Sequence, residues 1–134
     1  MGASLAGRAA VIERDFLLRQ IQQAIGVLAQ VLLQKRDGSP EWRASLAAGV
    51  QLITGTDPAR LAVLGREAVM DLAKDEGEVS PEKAVALADL LRESESGALK
   101  TRAAWLYRAA MEAGGPVPLD VLDRIAALSP NDDA

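Results

Sequence analysis

The chain has 134 residues, a net charge of −4, and neither cysteine nor histidine. A chain of that length forms one domain with a core of its own and needs no metal or disulfide to fold. The missing residue types exclude Ser-His and Cys-His nucleophile pairs, thiol chemistry, cysteine/histidine zinc sites and Glu-x-x-His di-iron sites.

Alanine, leucine, arginine and glutamate are abundant, aromatic residues are few, and no stretch alternates like a strand, so an all-α fold is expected. Charge is uneven: residues 1–43 carry six basic and four acidic side chains, residues 44–134 nine and fifteen. An acidic body disfavours a phosphate backbone, so no nucleic-acid partner is expected. The opening "MGASLAGRAAVIERD" has no apolar core of a secretory signal, and the longest uncharged run, 15 residues, contains five glutamines. A membrane span wants roughly 20 mostly apolar residues. A soluble, cytoplasmic protein with no membrane partner is the expectation.

In chain order, a flexible tail over 1–8 leads into a long helix at about 9–36. Within it Leu18, Ile21, Ile25, Leu28 and Leu32 recur at spacings of three and four. Leu17, Ala24 and Val31 widen that seam on one side, and Val27 and Leu33 lie away from it. Polar positions are nearly all glutamine: Gln20, Gln22, Gln23, Gln30 and Gln34. The breadth of the apolar surface predicts a central helix wrapped by its own chain. A second copy on one side, giving a homodimer, is compatible with it, and glutamine suits either because it carries no charge to desolvate.

Breakers then divide the chain into helices at about 40–54, 58–75, 81–94, 98–113 and 118–128, with a flexible tail over 129–134. Three helix starts share one device, a small polar residue followed by proline: Ser39-Pro40, Asp57-Pro58 and Ser80-Pro81. The apolar stripes are Trp42, Leu46, Val50 and Ile53 in the second helix, and Leu61, Gly65, Ala68, Val69 and Leu72 in the third. Gly65 and Ala68 are where another helix is expected to come close. Leu99, Ala103, Leu106 and Ala110 form the fifth stripe, and Val121, Leu122, Ile125 and Leu128 the sixth. No stripe can be hidden alone, so the helices pack on each other and on the first.

The stretch "LADLLRESESGALKTRAAWLYRAAMEA", residues 87–113, resembles one tetratricopeptide repeat. Leu87 and Leu90 match apolar positions of the repeat's first helix, Ala103, Tyr107 and Ala110 the small-aromatic-small pattern of its second, and Pro116 the closing proline. Leu91 departs from the pattern, which wants a small residue there. From "ERDFLLRQIQQ" through "DEGEVSPEKAVALADLLRE", the chain resembles a family of small bacterial all-helical proteins classed as a domain of unknown function. The resemblance implies a TPR-like helix pair at 81–113 within a compact bundle, and carries over no catalytic residue.

Three constellations bear on function. Glu67, Asp71 and Asp75 share a helix face and could offer oxygen ligands to Mg²⁺, or form a solvated acidic face. Residues 81–113 could be a helix-turn-helix with Lys100, Arg102 and Arg108 on its second helix, but those cations share no single face. Trp105 projects away from the fifth stripe, either packing against an arginine stem or the sixth helix, or offering a contact point. Together these predict a six-helix TPR-like bundle with no catalytic residue, metal or cofactor, whose role is interaction or structure. The candidate contact residues are Leu18, Ile21, Ile25, Leu28, Leu32 and Trp105. The alternatives are a magnesium-dependent hydrolase on the third helix and a helix-turn-helix regulator.

Overall fold

In a computed structural model, residues 2–114 and 118–128 are described, with side chains in the first helix from Asp15 onward. They are mostly helical: α1 (Gly2–Arg36), α2 (Trp42–Thr54), α3 (Pro58–Leu61), α4 (Arg66–Leu72), α5 (Pro81–Leu91), α6 (Gly97–Glu112) and α7 (Val121–Ala126). A small hairpin, β1 (Lys74–Asp75) and β2 (Glu78–Val79), lies between α4 and α5. The expected tail at 129–134 and the closing proline Pro116 lie outside the described residues. The expected start of the first helix at 9 is too late, because α1 begins at Gly2.

Two of the three Ser/Asp-Pro starts form as their chemistry dictates. The Asp57 carboxylate accepts from Arg60 N–H at 3.0 Å and Ser80 Oγ from Lys83 N–H at 3.2 Å, each with proline in the first helical turn. At the third, Ser39 Oγ accepts from Glu41 N–H at 3.3 Å within a turn, and α2 starts only at Trp42. Helix α2 ends on Gly55 in the left-handed region (φ 71°), whose N–H reaches Gln51 O at 2.8 Å.

The continuous third helix is not what forms. Gly65 is extended (φ −72°, ψ 171°) and begins α4 afresh, leaving the Leu64 carbonyl free of a helix. Arg102 of α6 takes that carbonyl with Nε at 3.1 Å and Nη2 at 2.7 Å, so a tertiary bond replaces the helical one. After α4 the chain turns at Glu76 (φ 53°) and Gly77 (φ 83°), pairing Lys74 with Val79 and Asp75 with Glu78. Two successive left-handed residues are the signature of a tight hairpin turn, and this turn replaces the expected acidic end of a helix.

The core is centred on α5 and α6. Ala84, Leu87, Ala88, Leu90 and Leu91 of α5 are buried, as are Leu99, Ala103, Ala104, Leu106, Tyr107 and Ala110 of α6. Alanines on both helices let them pack along their length, and α5 also carries α1 and α2 on its other sides. The long N-terminal helix is therefore peripheral, not central. Among its described side chains Leu17, Ala24 and Val31, seven apart, are buried, and the helix lies chiefly on α2 and α5. The close helix approach is likewise not at Gly65, which meets nothing within 4 Å, but at Gly49 of α2 beneath Val27.

One polar network ties the far end of this core together. Tyr107, fully buried, donates its hydroxyl to Asp89, and Arg124 Nη1 donates to both Asp89 oxygens at 2.8 and 2.9 Å. Arg124 also holds Asp120 at the start of its own helix through Nε at 3.1 Å, while its bonds to Asp89 tie α7 to α5. Burial first, and then the bond to Asp89, push the Tyr107 phenol well above its ordinary value. Because the folded pKa is raised, this contribution to stability is whole below about pH 10 and is lost as pH climbs toward the folded value. The chain has one tyrosine, so the readout is clean. In an alkaline titration, phenolate absorbance should lag beyond about pH 10 and rise together with loss of helicity. A midpoint near pH 10 with the helices intact would contradict this placement.

Candidate interaction surface

The surface that the fold leaves unfinished is on α1. With 3.6 residues per turn, the buried set Leu17, Ala24 and Val31 points into the domain, and Ile21, Val27 and Leu28 at its margins are half-buried. The next positions around the helix are apolar and open: Leu18 is 43% exposed, Ile25 58% and Leu32 46%. Leu18, Ile21, Ile25, Leu28 and Leu32 thus form one stripe, with Ile21 and Leu28 as its floor and the other three as its rim. Phe16 and Leu33 add exposed apolar area elsewhere on the helix. Single exposed apolar side chains are ordinary, but a contiguous row of them marks a contact surface.

The stripe borders a groove between α1 and α5. Its more apolar half, a cavity of about 310 Å³, is walled by Ile21 and Ile25 on one side, by Glu82, Val85 and Ala86 on the other, and closed by Pro118. A second hollow of about 360 Å³ continues past Asp89, where Leu28 and Leu32 face Arg92, Glu93, Asp120 and Arg124. One end of the groove is therefore greasy and the other charged, and the Asp89 network forms the step between them. Burial opposes the charge on Arg124, but its bonds to Asp120 and Asp89 outweigh that and raise its pKa. These α5 and α7 residues carried no sequence signal of their own, apart from Asp89 as a lone acid inside the run "AVALADLL".

The C-terminal end of α1 is fastened. Lys35 Nζ donates to Glu93 O at 2.7 Å and Oε1 at 3.1 Å, and sits 4.3 Å above the centre of the Trp42 ring. Arg43, 4.8 Å from the same ring, reaches Glu95 with Nη2 at 3.1 Å. The glutamines divide between the two faces: Gln22, Gln23 and Gln30 are exposed, while Gln20 and Gln34 are half-buried at the packed margins. Among the described residues, Gln34 Oε1 is the one buried side-chain polar atom without a hydrogen-bond partner.

The other candidates are placed differently. Trp105 is half-buried between two arginines, Arg66 at 5.0 Å and Arg102 at 4.8 Å from the ring centre, and does not join the α1 stripe. Arg102 spends its donors on Leu64 O and Ala98 O. Helix α6, the second helix of the possible helix-turn-helix, buries Leu99, Ala103, Ala104, Leu106, Tyr107 and Ala110 in the core. Of the acidic trio, Asp71 pairs with Lys74 at 2.9 Å, Glu67 is exposed, and Asp75 lies in the hairpin. Among the described residues, no three Asp or Glu side chains gather as cation ligands.

The segment Asp15–Arg36 is long and apolar enough, by length and mean hydropathy alone, to cross a membrane, and little of it is buried in the domain. Crossing a bilayer would strip it from α2 and α5, break the Lys35–Glu93 pair, and place five glutamines in hydrocarbon. Compared with known proteins, the chain matches no family model, no curated protein and no solved structure.

Proposed function

We propose that this chain is a helical protein-protein interaction module without catalytic activity, working in the bacterial cytoplasm through the exposed stripe of α1. One observation carries the reading: Leu18, Ile25 and Leu32 are open and stand in one line beside a groove, whereas Leu122 is the one exposed member of the sixth stripe. Burying each such side chain is worth roughly 1.5–3 kcal/mol, so a partner that covers the line gains much of what binding costs. The α5–α6 pair, with Leu87, Leu90, Ala103, Tyr107 and Ala110 all buried, supports a TPR-like reading of the body as a scaffold behind that stripe. Among the described residues, no cluster of carboxylates favours the hydrolase alternative.

The test is a photoreactive amino acid at Ile25, irradiated in living cells, with Gln30 on a different exposed part of the same helix as the control. The expected result is a covalent adduct from Ile25 and none from Gln30. No adduct at Ile25, or equal adducts at both, would remove the stripe as the contact face.

A further inference from the structure

We propose that the occupant of the stripe is a second copy of this chain, lying antiparallel along α1 so that Asp15 of each copy meets Arg36 of the other. The inference rests on the reading of the stripe as a contact face and adds the identity and direction of the partner.

The spacing of the stripe is the first support. Leu18, Ile21, Ile25, Leu28 and Leu32 alternate three and four residues apart, the pattern that lets side chains of one helix sit between those of another. The stripe therefore fits a helix, and α1 supplies one of matching length: Asp15 to Arg36 spans about 31 Å. Helices pair through a row like this by inserting apolar side chains from both sides, which an identical stripe provides.

Charge gives the direction. Seven residues apart along the open edge of the stripe stand Asp15, Gln22, Ala29 and Arg36, all exposed. That edge is negative at one end and neutral between, and at its other end stands Arg36, whose Nε lies 3.6 Å from the neighbouring Asp37 in a largely exposed pair open to exchange. In antiparallel pairing the same edge of both helices meets, so Asp15 faces Arg36 at each end and Gln22 faces Ala29 twice. Parallel pairing sets that edge against the opposite edge of the partner, so Asp15 and Arg36 do not meet, and it gathers the basic ends of both copies, Lys35 and Arg36, at one end of the pair. No charge lies between residues 20 and 34 to oppose the central contact. Lys35 is held by Glu93 and Trp42, so it does not stand across the seam.

The absence of cysteine makes the test direct. Asp15→Cys and Arg36→Cys chains are prepared separately and treated with a short bis-maleimide, alone and mixed. The expected result is a cross-linked dimer from the mixture and little from either alone. Separately, Asp15→Arg should weaken self-association about tenfold, because it removes two exposed ion pairs at once. Adding Arg36→Asp in the same chain should restore it, with helicity unchanged throughout. Self-linking of each variant without a mixed product means a parallel dimer, and overturns this inference while the contact-face reading stands. A monomer whose Ile25 probe still captures another protein, or inserts into lipid vesicles, also overturns it and leaves that face in use. A monomer with a silent Ile25 probe removes both.

Discussion

Replacing Asp89 by alanine should cost the fold about 2–3 kcal/mol, lowering the melting temperature by roughly 8 °C. The reasons are local. The carboxylate accepts the hydroxyl of fully buried Tyr107 and two bonds from Arg124 Nη1, at 2.8 and 2.9 Å. Alanine leaves a buried hydroxyl without an acceptor and leaves the Arg124 guanidinium with Asp120 alone as its charge partner. Asp89 and Arg124 keep 20% and 24% of their side-chain surface in water, so the loss falls short of that for a sealed ion pair. Asp89→Asn keeps an acceptor for Tyr107 and gives up the charge, and should cost about half as much. Urea unfolding of both variants tests this. A loss below about 0.5 kcal/mol for alanine would mean that water replaces the carboxylate freely and the network does not hold α7 to α5.

Replacing Gly49 by alanine should destabilise by about 1–3 kcal/mol, although helix propensity taken alone favours alanine by roughly 1 kcal/mol. An added Cβ would stand 2.3 Å from Val27 Cγ1, 3.0 Å from Cγ2 and 3.1 Å from Cβ. Valine is branched at Cβ and stiff in a helix, so it cannot swing clear, and α2 must move off α1 instead. Val27→Ala in the same chain should recover most of the loss, leaving the double variant more stable than Gly49→Ala alone. The two changes would then be coupled by 1 kcal/mol or more in a double-mutant cycle. Stabilisation by Gly49→Ala would show that α1 and α2 do not meet as described.

Much of the local architecture was legible because it depends on chemistry between near neighbours. Asp57-Pro58 and Ser80-Pro81 cap helices, and the stripes Leu46-Val50-Ile53 and Leu99-Ala103-Leu106-Ala110 are buried as their spacing requires. What escaped was decided at a distance. Nothing near Gly65 announces that Arg102, 38 residues away, will take the Leu64 carbonyl and split a helix in two. "KDEGEV" has a glutamate where a tight turn ordinarily takes asparagine, aspartate or glycine, so the hairpin was hidden by its own unfavourable residue.

The largest correction concerns α1. Periodicity says which face of a helix is apolar and is silent about which chain covers it. The row Leu17, Ala24 and Val31 reads as a mere margin of the seam, but small Ala24 at its centre and Gly49 opposite α1 draw the domain to that side. Leu18, Ile25 and Leu32, the proposed contact residues, are left facing outward as a consequence. Trp105, grouped with them as a candidate from sequence, is flanked by Arg66 and Arg102 and belongs to a different surface.

Everything functional depends on whether that outward row is covered when the protein is in solution. Light scattering of the purified chain at micromolar concentration, beside an Ile25→Asp variant of unchanged helicity, measures this most directly. The expected mass is twice the 14.1 kDa of one chain for the natural sequence and that of a single chain for the variant. A mass of one chain for both would contradict self-association through α1, and a dimer that survives Ile25→Asp would place the contact on some other face.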